Sequence, residues 1–386
     1  MTEARQNPAA PSRGAQNPGG TELIHAGGQA LAVRSAALVR RGLRDLARDS
    51  NWLVKKIFSG WSPQLAVSSG GDVCAISPLD RQGARRMVLY DAEWGAQQMA
   101  LTVPSEISSA PEKSRAAFAW HPAAHRLIAA WDAWRPELHA FDLQGKMFLG
   151  GFGTFAKFPE SLAWSESGKY LAATLPAANG ASLRLWDWSR EGARLPAAPL
   201  AEIGTPAKIE SEANGEGFGE EGCFRGYGRA AFSPDERMIA SVVQIEGEWA
   251  DDLLLLAELP DLRKQALFPA QGHITSLTWT PDSREIIYCA AGQAYRLAAA
   301  LRRPGTLPFG AELVACHPHL PLCVCFSSWL KNSAKGSLFL VDLRRCTPSD
   351  ECPAEGVADL RWSADGAKAY AVAQNGLAYI YESPLL

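Results

Sequence analysis

Apolar and polar residues alternate along most of the chain in short runs, and one phrase of that alternation keeps returning. An apolar residue, a small residue and an aromatic are followed by Ser, Thr or His, a turn, and a second apolar run. The phrase reads LAVSSGGDVCAI from Leu65, FAWHPAAHRLIAA from Phe118, LAWSESGKYLAA from Leu162 and AAFSPDERMIAS from Ala230. It returns as LTWTPDSREIIY from Leu277, VACHPHLPLCVC from Val314 and LRWSADGAKAYA from Leu360, which makes seven copies. Most copies close on a further alternating run ending in an acid: VLYD at Asp91, LHAFD at Asp142, LRLWD at Asp187, LLLLAE at Glu258, LFLVD at Asp342 and AYIYE at Glu382. The fifth copy has AYRLA around Tyr295 in that place, without the acid.

Counted from Val67, the central positions of the phrase lie 53, 44, 68, 47, 37 and 46 residues apart. A period of this order, with strand alternation and Ser-Gly or Pro-Asp turns, predicts four short strands per unit. Four-stranded sheets repeated around an axis form a β-propeller. The expected fold is therefore all-β, a seven-bladed β-propeller over residues 52–386.

Trp186-Asp187, Gly272-His273 and the Ser233-Pro234-Asp235 turn carry a resemblance to the WD-repeat family. The resemblance covers roughly residues 52 to 385, in degenerate form: one unit has the Trp-Asp ending and one the Gly-His start. It implies a ring closed by an N-terminal strand that completes the last blade. The segment NWLVKKIFSG alternates in the right way, so 52–58 is expected to pair with Leu377–Tyr381 and leave no open sheet edge there.

Upstream, Leu31, Ser35, Leu38, Val39, Gly42 and Leu46 share one face at helical spacing. This predicts an amphipathic helix over 28–49, with Arg34, Arg40, Arg41, Arg44 and Arg48 on the other face. Such a basic face lies in solvent, meets a partner, or meets anionic lipid. Residues 1–25, polar and rich in Pro and Gly, read as a disordered tail. The insertion ESEANGEGFGEEGCFRGYG from Glu210 reads as a solvated acidic loop.

Composition narrows the function. Hydrophobic residues make up 47% and charged ones 20%, as in packed soluble proteins. A net charge of −3 lacks the basic field that nucleic-acid binding needs. No apolar run approaches the roughly 20 residues of a membrane-spanning helix. The start has no secretory layout, and eight cysteines without a CxxC pair fit a reducing cytoplasm.

The densest candidate chemistry is Cys316, His317, His319, Cys323 and Cys325. Aligned with the other copies, Cys316 takes the column of Trp120, Trp164, Phe232, Trp279 and Trp362, and His317 that of His121, Ser165, Ser233, Thr280 and Ser363. Cys323 and Cys325 fall in apolar columns, so the set reads as strand and turn positions, with no metal and no cofactor expected. Cys346 and Cys352 flank a short loop and are expected to be free thiols.

The functional hint lies in the loops between the second and third strands of alternate units. WDAWRPE carries Trp131, Trp134 and Arg135; EGEWADD carries Trp249 with Asp251 and Asp252; SSWLKNSAKG carries Trp329 and Lys331. Trp and Arg anchor binding hot spots because they bury much area while ordering few torsions. The expectation is a monomeric protein–protein interaction scaffold that takes a protein or peptide on this loop face and performs no chemistry. A propeller hydrolase or lactonase with its site at the channel mouth, and a peripheral membrane protein bound through the basic helix, are the competing classes.

Overall fold

The structure is a computed structural model. It describes residues 24–26, 29–31, 52–56, 65–68, 72–77, 86–91, 97–102, 116–122, 126–131, 136–176, 183–189, 195–196, 198–204, 223–246, 251–263, 265–299, 304–328, 336–375 and 377–383. Every regular element among these is a β-strand.

The chain enters through a hairpin, β1 (Ile24–Ala26) on β2 (Gln29–Leu31), with Ile24 opposite Leu31 and Ala26 opposite Gln29. The helix expected over 28–49 is thus displaced at its start. Two residues, Gly27 and Gly28, separate the strands, a pair that two-residue hairpins favour. The rest of the expected helix, with Arg34, Arg40, Arg41, Arg44 and Arg48, lies outside the described residues, as does the expected tail up to residue 23.

β3 (Trp52–Lys56) follows, then a four-stranded antiparallel sheet of β4 (Leu65–Val67), β5 (Asp72–Ser77), β6 (Arg86–Asp91) and β7 (Gln97–Thr102). Of its side chains Val67, Ser68 and Leu89 are described, and all three are buried.

Against the seven blades expected, six have described cores. Each is named by its innermost strand. The β8 blade holds β8 (Ala116–Trp120), β9 (Arg126–Trp131), β10 (Leu138–Asp142) and β11 (Met147–Phe152). The β12 blade holds β12 (Ser161–Trp164), β13 (Tyr170–Thr174), β14 (Leu183–Asp187) and β15 (Ala201–Ile203). The β16 blade holds β16 (Cys223–Phe232), β17 (Met238–Glu246), β18 (Leu253–Glu258) and β19 (Gln265–Pro269).

The β20 blade holds β20 (Ile274–Trp279), β21 (Glu285–Ala290), β22 (Gln293–Ala298) and β23 (Gly305–Thr306). The β24 blade holds β24 (Leu313–Cys316), β25 (Leu322–Ser327), β26 (Ser337–Asp342) and β27 (Thr347–Pro353). The β28 blade holds β28 (Val357–Trp362), β29 (Lys368–Ala373) and β30 (Leu377–Glu382). Its fourth strand is β3, antiparallel to β30 with Trp52 opposite Tyr381 and Lys56 opposite Leu377.

Strands are apolar on both faces where a blade lies between two others. β18, LLLLAE, is buried up to its terminal acid, and β29, KAYAVA, is buried after its first residue. The outermost strands face water on their free edge, and β27, TPSDECP, buries only Cys352. Among the described residues the core is divided into separate clusters. Each described hydrophobic cluster is shared by two neighbouring blades, as with Leu171 and Trp186 against Leu138 and Phe152, or Trp279 and Tyr288 against Leu254 and Phe268. Stability therefore accrues interface by interface, as in other repeat architectures.

Candidate functional site

Strands in each blade alternate in direction. The loops joining second to third strands therefore emerge on the same face as the linkers from one blade to the next. On that face the loops are anchored by the linkers. In the β8 blade the Phe155 N–H donates to Pro136 O (2.8 Å); in the β16 blade Ala270 N–H donates to Asp252 O (2.9 Å); in the β24 blade Ala354 N–H donates to Gly336 O (2.8 Å). Gly336 has no room for a side chain, since a Cβ would lie 2.7 Å from Ser327 O and 2.8 Å from the Phe326 ring.

Asp252 is the one carboxylate buried among the described residues, at 1% exposure. Its Oδ2 accepts the Ile274 N–H at 2.7 Å, and its Oδ1 lies 3.3 Å from His273 Nδ1. The Asp252 N–H reaches Gly272 O at 3.4 Å, and Gly272 holds a φ of +101°, a left-handed value that favours glycine. Gly272-His273 is thus the receptor for a carboxylate of the preceding blade. Grouped in sequence with an exposed loop, Asp252 is instead a buried peg; Asp251 beside it is exposed.

The opposite face carries the turns between first and second strands. Ser233, Thr280 and Ser363 each close their turn twice. The hydroxyl donates to the carbonyl five residues on and accepts that residue's N–H, at 2.9–3.1 Å. The aromatic just before the turn reaches the neighbouring blade. Trp164 Nε1–H donates to Ala119 O (3.2 Å), Trp279 to Ala231 O (3.0 Å) and Trp362 to Ala315 O (3.0 Å). The recurring small residue ahead of the aromatic column is what lets an indole approach the backbone.

Two units replace the turn hydroxyl by histidine. His317 Nδ1 accepts the His319 and Leu320 N–H groups at 2.9 and 3.0 Å, so its Nε2 carries the proton and donates to Gly366 O in the next blade at 3.1 Å. Burial pushes the pKa of His317 below the ordinary histidine value, in keeping with a neutral ring. His121 packs edge-on against Trp164 at 4.7 Å, as His317 lies 4.6 Å from Trp362.

The facing residue in the next turn is glycine in both cases, Gly168 and Gly366, with φ of +76° and +73°. A Cβ at either position would run into the imidazole. Where the preceding turn starts with serine, a polar residue fills the space. Glu236 accepts from Ser167 N–H and Oγ–H at 2.7 and 2.8 Å, and Ser283 Oγ accepts from Asp235 N–H at 3.0 Å. Gly366→Ala should accordingly cost about 1–2 kcal/mol through the left-handed backbone alone. Displacement of His317 adds to this. Urea melts of Gly366→Ala and of His317→Ala/Gly366→Ala measure both parts, the double variant recovering the steric share.

On this turn face lies a cavity of about 170 Å³, walled by Val67, Phe118, Trp120, Leu162 and Trp164, with Arg361 at its side. Asp359 beside it is held by the Val67 N–H (3.3 Å), the Leu360 N–H (3.0 Å) and Arg361 Nε (3.4 Å). Among the described residues no three His, Cys, Asp or Glu side chains gather in a way that could hold a metal ion.

No family model matches the chain, and no curated protein matches it. Solved structures do. The WD40 repeats of RRP9 superpose with a TM-score of 0.60 at 12% identity, over 86% of this chain and 97% of that one. The β-propeller domain of Myceliophteria thermophila Cps50 (Swd1) gives 0.58 at 13% identity, over 86% and 99%. A chain of the Mitotic Checkpoint Complex gives 0.55 at 14% identity, over 85% and 94%. The fold is that of a WD40 β-propeller.

On this propeller Trp131 is the last residue of β9. Trp134, Arg135, Trp249, Trp329 and Lys331 lie outside the described residues, in loops whose ends are the anchored positions above. Cys316, Cys323 and Cys325 occupy strands β24 and β25, and His317 and His319 the turn between them. Cys346 and Cys352 cannot meet. Cys346 sits in the β26–β27 turn, and the extended β27 carries Cys352 roughly 17 Å further on. What the linear pattern did not reveal is the pairing between units: Asp252 with Gly272-His273, and His121 or His317 with a glycine one unit on.

Proposed function

We propose that the protein is an interaction platform that takes a protein or peptide partner on the face of the loops joining second and third strands. Trp131, Trp134, Arg135, Trp249, Trp329 and Lys331 would supply the contacts, with Arg34, Arg40, Arg41, Arg44 and Arg48 as a second one. One observation carries the reading. Three alternate blades bear tryptophan in this loop, and each of those loops is tied at its base by a backbone hydrogen bond from the next linker. Aromatic anchors on fixed bases lose little entropy on docking. The likeness to a chain of the Mitotic Checkpoint Complex, an assembly, agrees with such a role.

The β4–β7 sheet would complete a seven-bladed ring between the β28 and β8 blades. Supporting this place, the Val67 N–H donates to Asp359, and Val67 lines the same cavity as Phe118 and Trp120. The test is co-purification from the host with wild-type protein and with Trp134→Ala/Trp249→Ala/Trp329→Ala. A partner that follows wild type should fall away from the variant, whose melting temperature stays unchanged. Partners retained in full by the variant refute the docking face.

A further inference from the structure

We propose that Cys316 and Cys323 form a cross-strand disulfide when the protein meets a two-electron oxidant such as hydrogen peroxide. The two are directly opposite in the β24–β25 ladder. The neighbouring pair is hydrogen-bonded, His317 N–H to Leu322 O at 2.8 Å, so by antiparallel alternation Cys316 and Cys323 form a non-hydrogen-bonded pair. In keeping with this, the Cys316 N–H points sideways to Thr278 Oγ1 of the preceding blade at 3.4 Å. In such a pair the Cα atoms are about 4.5 Å apart and both side chains leave on one face. That separation lies within the range a disulfide spans.

The sulfurs already stand 2.8 Å apart and have only to close to about 2.05 Å. The other thiols of the cluster are less well placed. Cys325 is two residues along the same strand from Cys323, roughly 6.6 Å by strand geometry, and Cys289 belongs to the neighbouring blade.

The order of events follows from exposure. Cys316 is half-buried, whereas Cys289, Cys323 and Cys325 are fully buried. Burial also pushes the Cys323 thiol well above the ordinary range, which makes it a poor first target. Peroxide therefore meets Cys316. Its sulfur takes one oxygen as the O–O bond breaks, giving a sulfenic acid and water. Cys323 sulfur then attacks that sulfur, the S–S bond forms, and the hydroxyl leaves with the Cys323 proton as a second water. Two thiols are oxidised and one peroxide is reduced. The bond closes residues 316–323 around the very turn from which His317 reaches Gly366, fastening the latch between the β24 and β28 blades.

The experiment uses the full chain treated with hydrogen peroxide, then denatured, alkylated and digested. Cys316, Cys323 and Cys325 fall on one tryptic peptide, since no Lys or Arg occurs from 304 to 330. Wild type should lose two hydrogens and keep only Cys325 open to alkylation, a change that dithiothreitol reverses. Cys325→Ser should show the same link, and Cys316→Ser and Cys323→Ser should show none. Three alkylated cysteines in oxidised wild type would overturn the proposal. So would a reversible link that persists in Cys316→Ser, or irreversible oxidation of Cys316 without a link.

Discussion

Replacing Trp186 by alanine should destabilise the protein by about 3–5 kcal/mol, the cost of removing a large buried aromatic. The indole is fully buried. It stands edge-on to Phe152 at 6.0 Å and to Phe155 at 6.2 Å, filling the interface between the β8 and β12 blades. Gly153, at a φ of +59°, brings its backbone against the same ring, and a Cβ there would lie 3.0 Å from it. Collapse of the surrounding strands onto the cavity is opposed by their own ladders, so most of the loss should appear in a urea melt.

Trp186→Phe should be much milder. Nε1 of Trp186 is buried and makes no hydrogen bond within the described residues, so phenylalanine removes a donor that was contributing nothing. The contrast is Trp362→Phe, which should cost about 1 kcal/mol more than its lost area because the Nε1–H bond to Ala315 O goes with it. Equal losses for the two Trp→Phe variants would show that the indole bonds between blades do not matter.

Asp252→Ala should cost about 3 kcal/mol, from the range for hydrogen bonds to charged groups. The substitution removes the acceptor for the buried Ile274 N–H and the partner of His273 Nδ1 together. Amide exchange localises the effect: the Ile274 N–H should lose protection in the variant while Ile286 and Ile287, in the next strand, keep theirs. Asp252→Asn should retain part of the stability, since one side-chain oxygen remains for Ile274. Unchanged exchange at Ile274 would mean that Asp252 does not hold the linker. The same variant tests the platform indirectly, because Asp252 anchors the loop bearing Trp249 without itself facing solvent.

The repeats were legible because each blade must meet a neighbour on both faces. That requirement imprints the same inward alternation, aromatic and turn hydroxyl on every copy. Short outer strands carry no such demand: β23 is only Gly305–Thr306, after a Pro, and no alternation marks it. The latches escaped a linear reading for another reason. His317 and Gly366 are 49 residues apart, Asp252 and His273 are 21 apart, and each looks unremarkable inside its own unit. Only with the blades side by side does a histidine in one turn account for a glycine in the next. The expected helix failed at Gln29–Leu31 because helical spacing of Leu31 and Leu38 says nothing about Ile24, which pairs with Leu31 in the β1–β2 ladder.

The β3–β30 ladder has a mechanical consequence. Trp52 and Tyr381 are opposite one another, so the chain leaving β3 backwards and the chain leaving β30 forwards depart from the same end of the ladder. Tension applied through those two departures does not load the rungs in parallel, as it would in shear. It peels them singly, beginning at Trp52, so a load pulling on both flanks opens the ring like a zip and at low force.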